Sequence, residues 1–191
     1  MRSIAPTPRG LAAALVLACA AIAAPPAHAQ LAIEARAGIA TPRDAFTNDV
    51  AVDGGYSTEV SLTVGTLPFV GLYGAWQRVK FDREGSEGSV VTDQGWTGGV
   101  RVSVPTPFIP IDPWIRAGVV AHELEAGGLE GGGDSGVGVE VAGGLRVQVG
   151  SRIALTPGVS WTRYGFDDET VTDGKVNVEY LRVDVGVRFG F

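Results

Sequence analysis

The residues of this chain that could perform chemistry are few and widely separated. His122, beside Glu123, is the only histidine beyond the first 29 residues. Enzymes that transfer acyl groups through a serine nucleophile need a serine, a histidine and a carboxylate grouped together. No serine near His122 follows such a pattern, so the sequence favours a packed or solvated histidine, and we expect no catalytic residue and no enzymatic activity.

Acidic segments are the other candidate sites. Gly131-Gly132-Gly133-Asp134 resembles one copy of a glycine–aspartate calcium repeat, but such sites are built from several stacked copies. The run Asp167-Asp168-Glu169 could attract divalent cations, although it defines no ligand geometry. Both segments are predicted to be solvated loops, and we expect neither a metal site nor a cofactor.

Charge and length narrow the possible partners and the domain count. The 191 residues include 28 glycines and carry a formal net charge of −6, with no basic run. An acidic chain of this kind is not expected to bind nucleic acid. Its length suits a single domain.

The first 29 residues have the parts of a secretory signal peptide. Arg2 and Arg9 precede an apolar run over 10–24, and Ala27-His28-Ala29 places small residues where signal peptidase cleaves. Lipidation at Cys19 is the alternative, because residues 16–19 form a loose lipobox. We therefore expect a signal peptide over 1–29 and one domain over 30–191, which contains no cysteine and hence no disulfide.

The rest of the chain alternates apolar and polar residues with the period of a β-strand. Eight such runs lie at 31–40, 56–64, 70–81, 96–104, 114–125, 137–149, 153–166 and 176–191. The connection before the fourth run is expected over 82–93. No helical spacing persists, and no stretch after 1–29 is long enough for a transmembrane helix, so any membrane residence requires strands that close on themselves.

Three runs are irregular. In the third, we expect apolar residues to face outward and Trp76, Arg78 and Lys80 to face inward. The outward residues would be Tyr73, Ala75, Val79 and Phe81. Pro157 predicts a bulge or an unpaired edge in the seventh run. Residues 176–180 are out of phase with the rest of the eighth run and predict a bulge near Tyr180.

The eighth run ends in a recognisable pattern. From Leu181 to Phe191, apolar residues occupy one face and charged residues or glycine the other. Asp184, Gly186, Phe189 and Phe191 follow the spacing of the C-terminal insertion signal of bacterial outer-membrane β-barrels, which they resemble. The resemblance implies recognition by the barrel-assembly machinery and closure against the first strand. The alternative is an edge strand of a soluble all-β protein.

The connections and aromatic residues fit the same family. Short connections near Pro68, Pro107 and Ser151 alternate with longer ones near Asn48, Ser86, Gly132 and Asp173, as in outer-membrane barrels. Two aromatic girdles are expected. Towards the long loops they comprise Tyr56, Phe81, Trp96, Trp161 and Phe166, and towards the turns Phe69, Phe108, Phe189 and Phe191.

Over its length after 1–29, the chain resembles the small eight-stranded outer-membrane barrels, of the OmpA transmembrane domain and OmpX type. The resemblance implies an all-β, antiparallel, up-and-down transmembrane β-barrel in the bacterial outer membrane. It also implies a monomer surrounded by outer-membrane lipid and lipopolysaccharide.

An eight-stranded barrel leaves room inside only for side chains. The charged residues expected to face inward are Glu34, Arg36, Glu59, Arg101, Arg116, Glu140, Arg146, Arg182, Asp184 and Arg188. Such charges must pair to offset their desolvation, so we predict an ion-pair network that fills the lumen and blocks the passage of solutes. The expected role of the protein is then structural or surface interaction.

Three alternatives stay open. The inward charges could line a narrow pore that transports apolar or small polar solutes, or the protein could be a lipid-modifying enzyme. A soluble barrel of the lipocalin type should instead have an apolar interior and a polar exterior. The sequence names no partner for the loops.

Overall fold

The structure, a computed structural model, describes residues 31–43, 52–83, 90–126, 134–167 and 175–191. These residues form a closed antiparallel barrel in which each strand pairs with the next and the last pairs with the first. The strands are β1 (Leu31–Pro42), β2 (Val52–Leu67), β3 (Val70–Arg83), β4 (Val90–Ser103), β5 (Ile111–Ala126), β6 (Asp134–Gln148), β7 (Ile153–Asp167) and β8 (Lys175–Gly190). The eight-stranded barrel is confirmed.

Some predicted features lie outside the described residues. They are the signal peptide over 1–29 with Cys19, residues 131–133 of the glycine-rich segment, and residues 168–169 of the acidic run. Within the described ranges, no helix is long and apolar enough to cross a membrane.

The connections define two ends of the barrel. Pro68–Phe69 and residues 104–110 and 149–152 join strands at one end, which we call the turn end. At the opposite end of the barrel, which we call the loop end, β1 ends at Pro42, β3 at Arg83 and β5 at Ala126.

The Pro68–Phe69 turn has an unusual backbone. Proline fixes the first central residue of the turn, and the second, Phe69, adopts a φ of 71°, a conformation that normally favours glycine. The N–H of Ser103 donates to the Phe69 carbonyl at 2.8 Å and ties the turn to β4. The strained conformation is thus held by a neighbouring strand.

Apolar side chains cover the outside of the barrel. In β1 the outward and inward residues alternate strictly: Ile33 and Ile39 are exposed, whereas Glu34 is fully buried inside. On β8, Val183 and Val185 are 59% and 55% exposed, whereas the residues that precede each of them, Arg182 and Asp184, are buried. A barrel with apolar residues outside and ionised residues inside suits acyl chains and not water, which excludes the lipocalin-type alternative.

The predicted phase of β3 was wrong. Tyr73, Val79 and Phe81 face inward and are buried, whereas Arg78 and Lys80 face outward. Directly opposite residues of an antiparallel pair share a face. Val79 lies opposite the buried residues Ser57 of β2 and Asp93 of β4, so its side chain must also point inward. Ala75, predicted to face outward with them, is likewise buried.

The bulge predicted near Tyr180 was also wrong. β8 keeps one register against β7 from Lys175 to Phe189. Val178 and Tyr180 are fully buried inside the barrel, on the same face as Arg182. The strand therefore keeps one orientation, with even-numbered residues inward, and the interior itself becomes apolar towards the loop end.

Pro157 interrupts one ladder without a bulge. β6 and β7 keep one register on both sides of it, from Gly144 opposite Gly158 to Val147 opposite Leu155. Pro157 also stays paired with Val185 of β8. Because proline has no N–H, Thr156 and Pro157 are not paired with β6, so the predicted loss of pairing occurs locally, whereas the predicted bulge does not occur in this strand.

Candidate functional site

The inward side chains form three groups that we name from one end of the barrel to the other. The turn-end layer contains Glu34, Arg36, Arg101, Asp184 and Arg188. The middle layer contains Glu59, Arg116, Glu140 and Arg182. The loop-end cluster contains Gln77, Asp93, His122, Tyr164 and Tyr180, with apolar residues packed around them.

Glu34 is the centre of the turn-end layer. Its carboxylate accepts hydrogen bonds from Arg36 Nη1 at 2.5 Å, Arg101 Nη1 at 2.8 Å and Arg188 Nη1 at 3.1 Å. The Thr156 hydroxyl donates a further bond at 2.8 Å. Three cations thus converge from β1, β4 and β8 on one buried carboxylate.

Arg36 links Glu34 to the other carboxylate of this layer. Its Nε donates to Asp184 at 2.9 Å, and its Nη2 also contacts that carboxylate. The Trp114 ring contacts two guanidinium groups, with the Arg36 and Arg101 Cζ atoms 4.9 Å and 4.2 Å from its centroid. Cation–π contacts of this kind stabilise charges that have left water.

The middle layer is a closed set of two glutamates and two arginines. Arg116 donates to both oxygens of Glu59, at 2.6 Å and 2.7 Å, in the bidentate geometry of the strongest ion pairs. Arg182 Nη2 lies 3.0 Å from Glu59 and 2.8 Å from Glu140. Arg116 Nη2 is 3.0 Å from Glu140, which completes the ring across β2, β5, β6 and β8.

Two neighbouring side chains complete this layer. Ser160 accepts a hydrogen bond from Arg182 Nε at 2.9 Å. The Arg116 guanidinium lies 5.0 Å from the centroid of the Tyr73 ring. The charges of the middle layer are therefore balanced and enclosed by protein.

Asp93 organises the loop-end cluster. It is fully buried and accepts hydrogen bonds from the Tyr180 hydroxyl at 2.7 Å and the Tyr164 hydroxyl at 3.0 Å. His122 Nδ1 lies 3.1 Å from the same carboxylate, and Gln77 Nε2 donates to the Tyr180 hydroxyl at 2.6 Å. The sequence placed Asp93 in a connection, but β4 begins at Val90, so this residue points into the barrel.

An apolar group covers Asp93 and its partners. Its buried members are Ala40, Val79, Phe81, Val91, Val120 and Val178, together with the rings of Tyr164 and Tyr180. Phe81 packs edge-on against Tyr180, with ring centroids 5.6 Å apart. The interior is therefore charged at the turn end and in the middle, and mainly apolar at the loop end.

The predicted inward charges do not all occupy the same environment. All except Arg146 and Arg188 are buried within the turn-end and middle layers. The Arg188 side chain is 13% exposed, and that of Arg146 is 27% exposed and pairs with Asp112 near the turns. Sequence reasoning did not single out Asp112 as a partner.

Asp93 and Trp114 were also missed, although the sequence carries a signal for both. Each lies an even number of residues from an arginine predicted to face inward, Asp93 from Arg101 and Trp114 from Arg116. Extending the alternation of each strand by a few residues would have placed them inside.

Most of the aromatic residues predicted for the girdles lie on the outside. Tyr56 and Trp96 are exposed and Trp161 is half-buried towards the loop end; Phe69, Phe108, Phe189 and Phe191 are exposed towards the turn end. Phe81 contradicts the prediction because it is fully buried in the loop-end cluster, a consequence of the phase of β3. Phe166 lies in β7, but its side chain falls outside the described part of the chain.

His122 does not lie where a lipid-modifying site would be. It is 1% exposed inside the barrel, paired with Asp93, and its ring packs edge-on against Tyr164 with centroids 5.4 Å apart. Its Nε2 has no hydrogen-bond partner in the structure. Asp93 could orient this imidazole as in a catalytic dyad, but a substrate on the outer face of the barrel could not reach it. Among the described residues, no cluster of His, Cys, Asp and Glu could hold a metal ion.

Solved structures share this architecture. Neisserial surface protein A is 16% identical and superimposes with a TM-score of 0.62, over 84% of this chain and 97% of its own. The outer-membrane protein OprG from Pseudomonas aeruginosa is 10% identical, with a TM-score of 0.55 over 84% and 96%. The fold is that of a small outer-membrane β-barrel.

The β-barrel domain of another protein supports the same assignment. The N-terminal barrel of OprF from Pseudomonas aeruginosa is 13% identical, with a TM-score of 0.52 over 86% of this chain and all of that one. No protein-family profile matches the sequence, and no curated protein matches it. The outer-membrane barrel fold is thus preserved here at low sequence identity.

Proposed function

We propose that this protein is an integral outer-membrane barrel with a structural or surface-interaction role, and that its lumen is closed to solutes by the interior ion pairs. The middle layer is the observation that carries the proposal. Its four charged side chains reach across the barrel from β2, β5, β6 and β8 and pair with one another.

Opening a path through this layer would be costly. Separating Arg182 from Glu59 and Glu140 would leave buried charges without a counterion, and no attraction would then offset the free energy lost when these charges left water. The loop-end cluster adds a second obstruction of different chemistry, since Phe81, Val178 and Tyr180 are fully buried there. A solute would have to displace both.

We further propose that the protein is not an enzyme, and that its partners in the membrane are lipid and lipopolysaccharide. The burial of His122 supports the first statement, and the apolar outer surface supports the second. Phe189 and Phe191, exposed at the end of β8, are available for recognition by the barrel-assembly machinery before β8 closes against β1. The loops are the proposed site of surface interaction.

The test is single-channel conductance of the purified protein in a planar bilayer. We expect no stable open state. The matched comparison is a Glu59→Gln, Arg182→Gln double variant, which removes two opposite charges from the middle layer with only a small loss of side-chain volume and should show more frequent brief openings. Heat modifiability, measured as a change in gel migration on boiling, confirms that each sample contains a closed barrel. A reproducible open state in the unmodified protein would support the transport alternative instead.

A further inference from the structure

Two cavities open at the turn end of the barrel, and both are lined by arginines. The larger, of about 510 Å³, is bordered by Arg101, Arg146 and Arg188 together with Thr63 and Ser103. The smaller, of about 390 Å³, is bordered by Arg146, Arg152 and Arg188. No carboxylate lines the larger cavity, whereas the smaller one is also bordered by Phe191, whose main-chain carboxylate lies at the end of the sequence. We call this pair of cavities, which meet at Arg146 and Arg188, the turn-end vestibule.

The layer directly beneath the vestibule carries an excess positive charge. Three arginines, Arg36, Arg101 and Arg188, face two carboxylates, Glu34 and Asp184. The middle layer has equal numbers of both signs, and Arg146 is matched by Asp112, so neither offsets the excess. A guanidinium keeps its proton in folded proteins, so the layer cannot become neutral by losing one.

Hydrogen-bond donors are also in excess. Arg101 is 3% exposed, and two of its nitrogens, Nε and Nη2, have no partner. Arg188 uses only Nη1, on Glu34 and on the Thr63 hydroxyl. Buried donors without acceptors are costly, and the guanidinium groups of Arg146 and Arg188 are partly accessible from the vestibule. What the larger cavity of the vestibule lacks is an acceptor that carries negative charge.

We propose that the turn-end vestibule binds a small oxyanion, a phosphate or a carboxylate. Arg188 and Arg146 contact the ligand. Arg101, which is more deeply buried than Arg188, contributes to the excess positive charge of the turn-end layer. The planar fork of an arginine matches the oxygens of both groups. The site is independent of the loops, and it goes beyond the role proposed for the protein as a whole. The oxyanion can be free in solution or belong to a lipid headgroup.

The experiment is isothermal titration calorimetry of the full barrel in zwitterionic detergent, with inorganic phosphate as the probe at constant ionic strength set by chloride. We expect saturable binding. Arg188→Gln should weaken it about tenfold, since one charge-assisted contact is lost. Arg163→Gln is the matched control because Arg163 lies on the exposed face of β7 near the loop end, and it should leave the binding unchanged.

A second variant separates the anion site from a structural role. Arg101→Gln brings the turn-end layer to neutrality and removes the unpartnered guanidinium donors, so it should weaken phosphate binding. Because Arg101 also pairs with Glu34, the readout is the shift that the ligand causes: phosphate should raise the thermal midpoint of the unmodified protein and should raise that of Arg101→Gln by less, whatever the midpoint of each protein in chloride alone. Absence of saturable binding, or equal affinity in the unmodified, Arg188→Gln and Arg101→Gln proteins, would overturn the proposal.

The source of the oxyanion is resolved in a parallel titration with a short-chain phosphatidic acid. Tighter binding than that of free phosphate, lost in Arg188→Gln, assigns the vestibule to a lipid headgroup. Equal or weaker binding with the same dependence on Arg188 assigns it to a soluble anion. Binding of phosphatidic acid that is the same in Arg188→Gln and Arg163→Gln would count against the site.

Discussion

At the scale of single residues, the interior is controlled by side chains that serve several partners at once. Arg182 is the clearest case, because one of its nitrogens contacts both glutamates of the middle layer and another is bonded to Ser160. It is 1% exposed, so solvent cannot replace a lost contact. The stability of the layer therefore depends on each member and not on the number of ion pairs.

Replacing this arginine should strongly destabilise the barrel. Arg182→Met leaves Glu59 and Glu140 with Arg116 as their shared cation, and breaking a buried ion pair in this way costs about 3–5 kcal/mol. The free energy of unfolding can be measured by urea titration of the barrel refolded in lipid vesicles. Arg163→Met removes an exposed arginine whose Nε lies 3.9 Å from Glu179, and should cost about 0–1 kcal/mol. Equal losses in both variants would show that the middle layer does not stabilise the fold.

At the scale of elements, the closing seam between β1 and β8 is sensitive to side-chain volume. Gly38 lies opposite Asp184 in this seam. A Cβ built on Gly38 would lie 2.6 Å from the Asp184 Cα, a backbone atom that can move only if β8 moves. The strands approach this closely because residue 38 is a glycine.

Adding one methyl group at the seam should therefore disturb closure. We expect Gly38→Ala to lower the fraction of barrel that resists unfolding on an unboiled gel. Gly74→Ala is the matched control, since a Cβ at Gly74 meets no atom within 4 Å. If both variants retained the same folded fraction, the close approach at Gly38 would not be important for closure.

The elements also show how far the sequence alone could go. Strict alternation gave the right phase wherever the inward face was charged, as in β1 around Glu34 and in β5 around Arg116. It failed in β3 and in the first part of β8, because the loop-end interior is apolar and hydrophobicity no longer distinguishes the lumen from the lipid face. Cross-strand pairing would have corrected β3, but register is not visible in one sequence.

The ion pairs show a further limit of sequence reasoning. Alternation placed Arg116 and Glu59 on the inward face, yet nothing in their spacing shows that they form a bidentate pair, because β5 and β2 are not neighbours in the sheet. Contacts across a lumen depend on how the whole sheet curves. The inward position of Arg116 and Glu59 was predictable, whereas their pairing was not.

At the scale of the whole molecule, the polarity of the barrel is inverted relative to a soluble protein. Two tryptophans report the two sides: Trp96 is 66% exposed on the outer surface, and Trp114 is 2% exposed and contacts arginines of the turn-end layer. Their side chains should therefore differ sharply in their access to acyl chains.

Fluorescence quenching in bilayers can test this inversion. In vesicles that contain brominated phosphatidylcholine, a variant that retains only Trp96 should be strongly quenched, whereas one that retains only Trp114 should be nearly unaffected. The other tryptophans are replaced by phenylalanine in each variant. Stronger quenching of Trp114 than of Trp96 would contradict the arrangement described here.

The ion pairs that the middle layer makes between non-adjacent strands also constrain how the protein enters a bilayer. Two of its contacts join β2 to β5 and β6 to β8, strands that are not adjacent, and only Arg116 and Glu140 pair within one hairpin, that of β5 and β6. A β1–β2 or β7–β8 hairpin that crossed the membrane alone would therefore carry Glu59 or Arg182 without its middle-layer counterion, at a high cost in free energy. We therefore expect these strands to leave water together with the strands that carry their counterions, and not hairpin after hairpin.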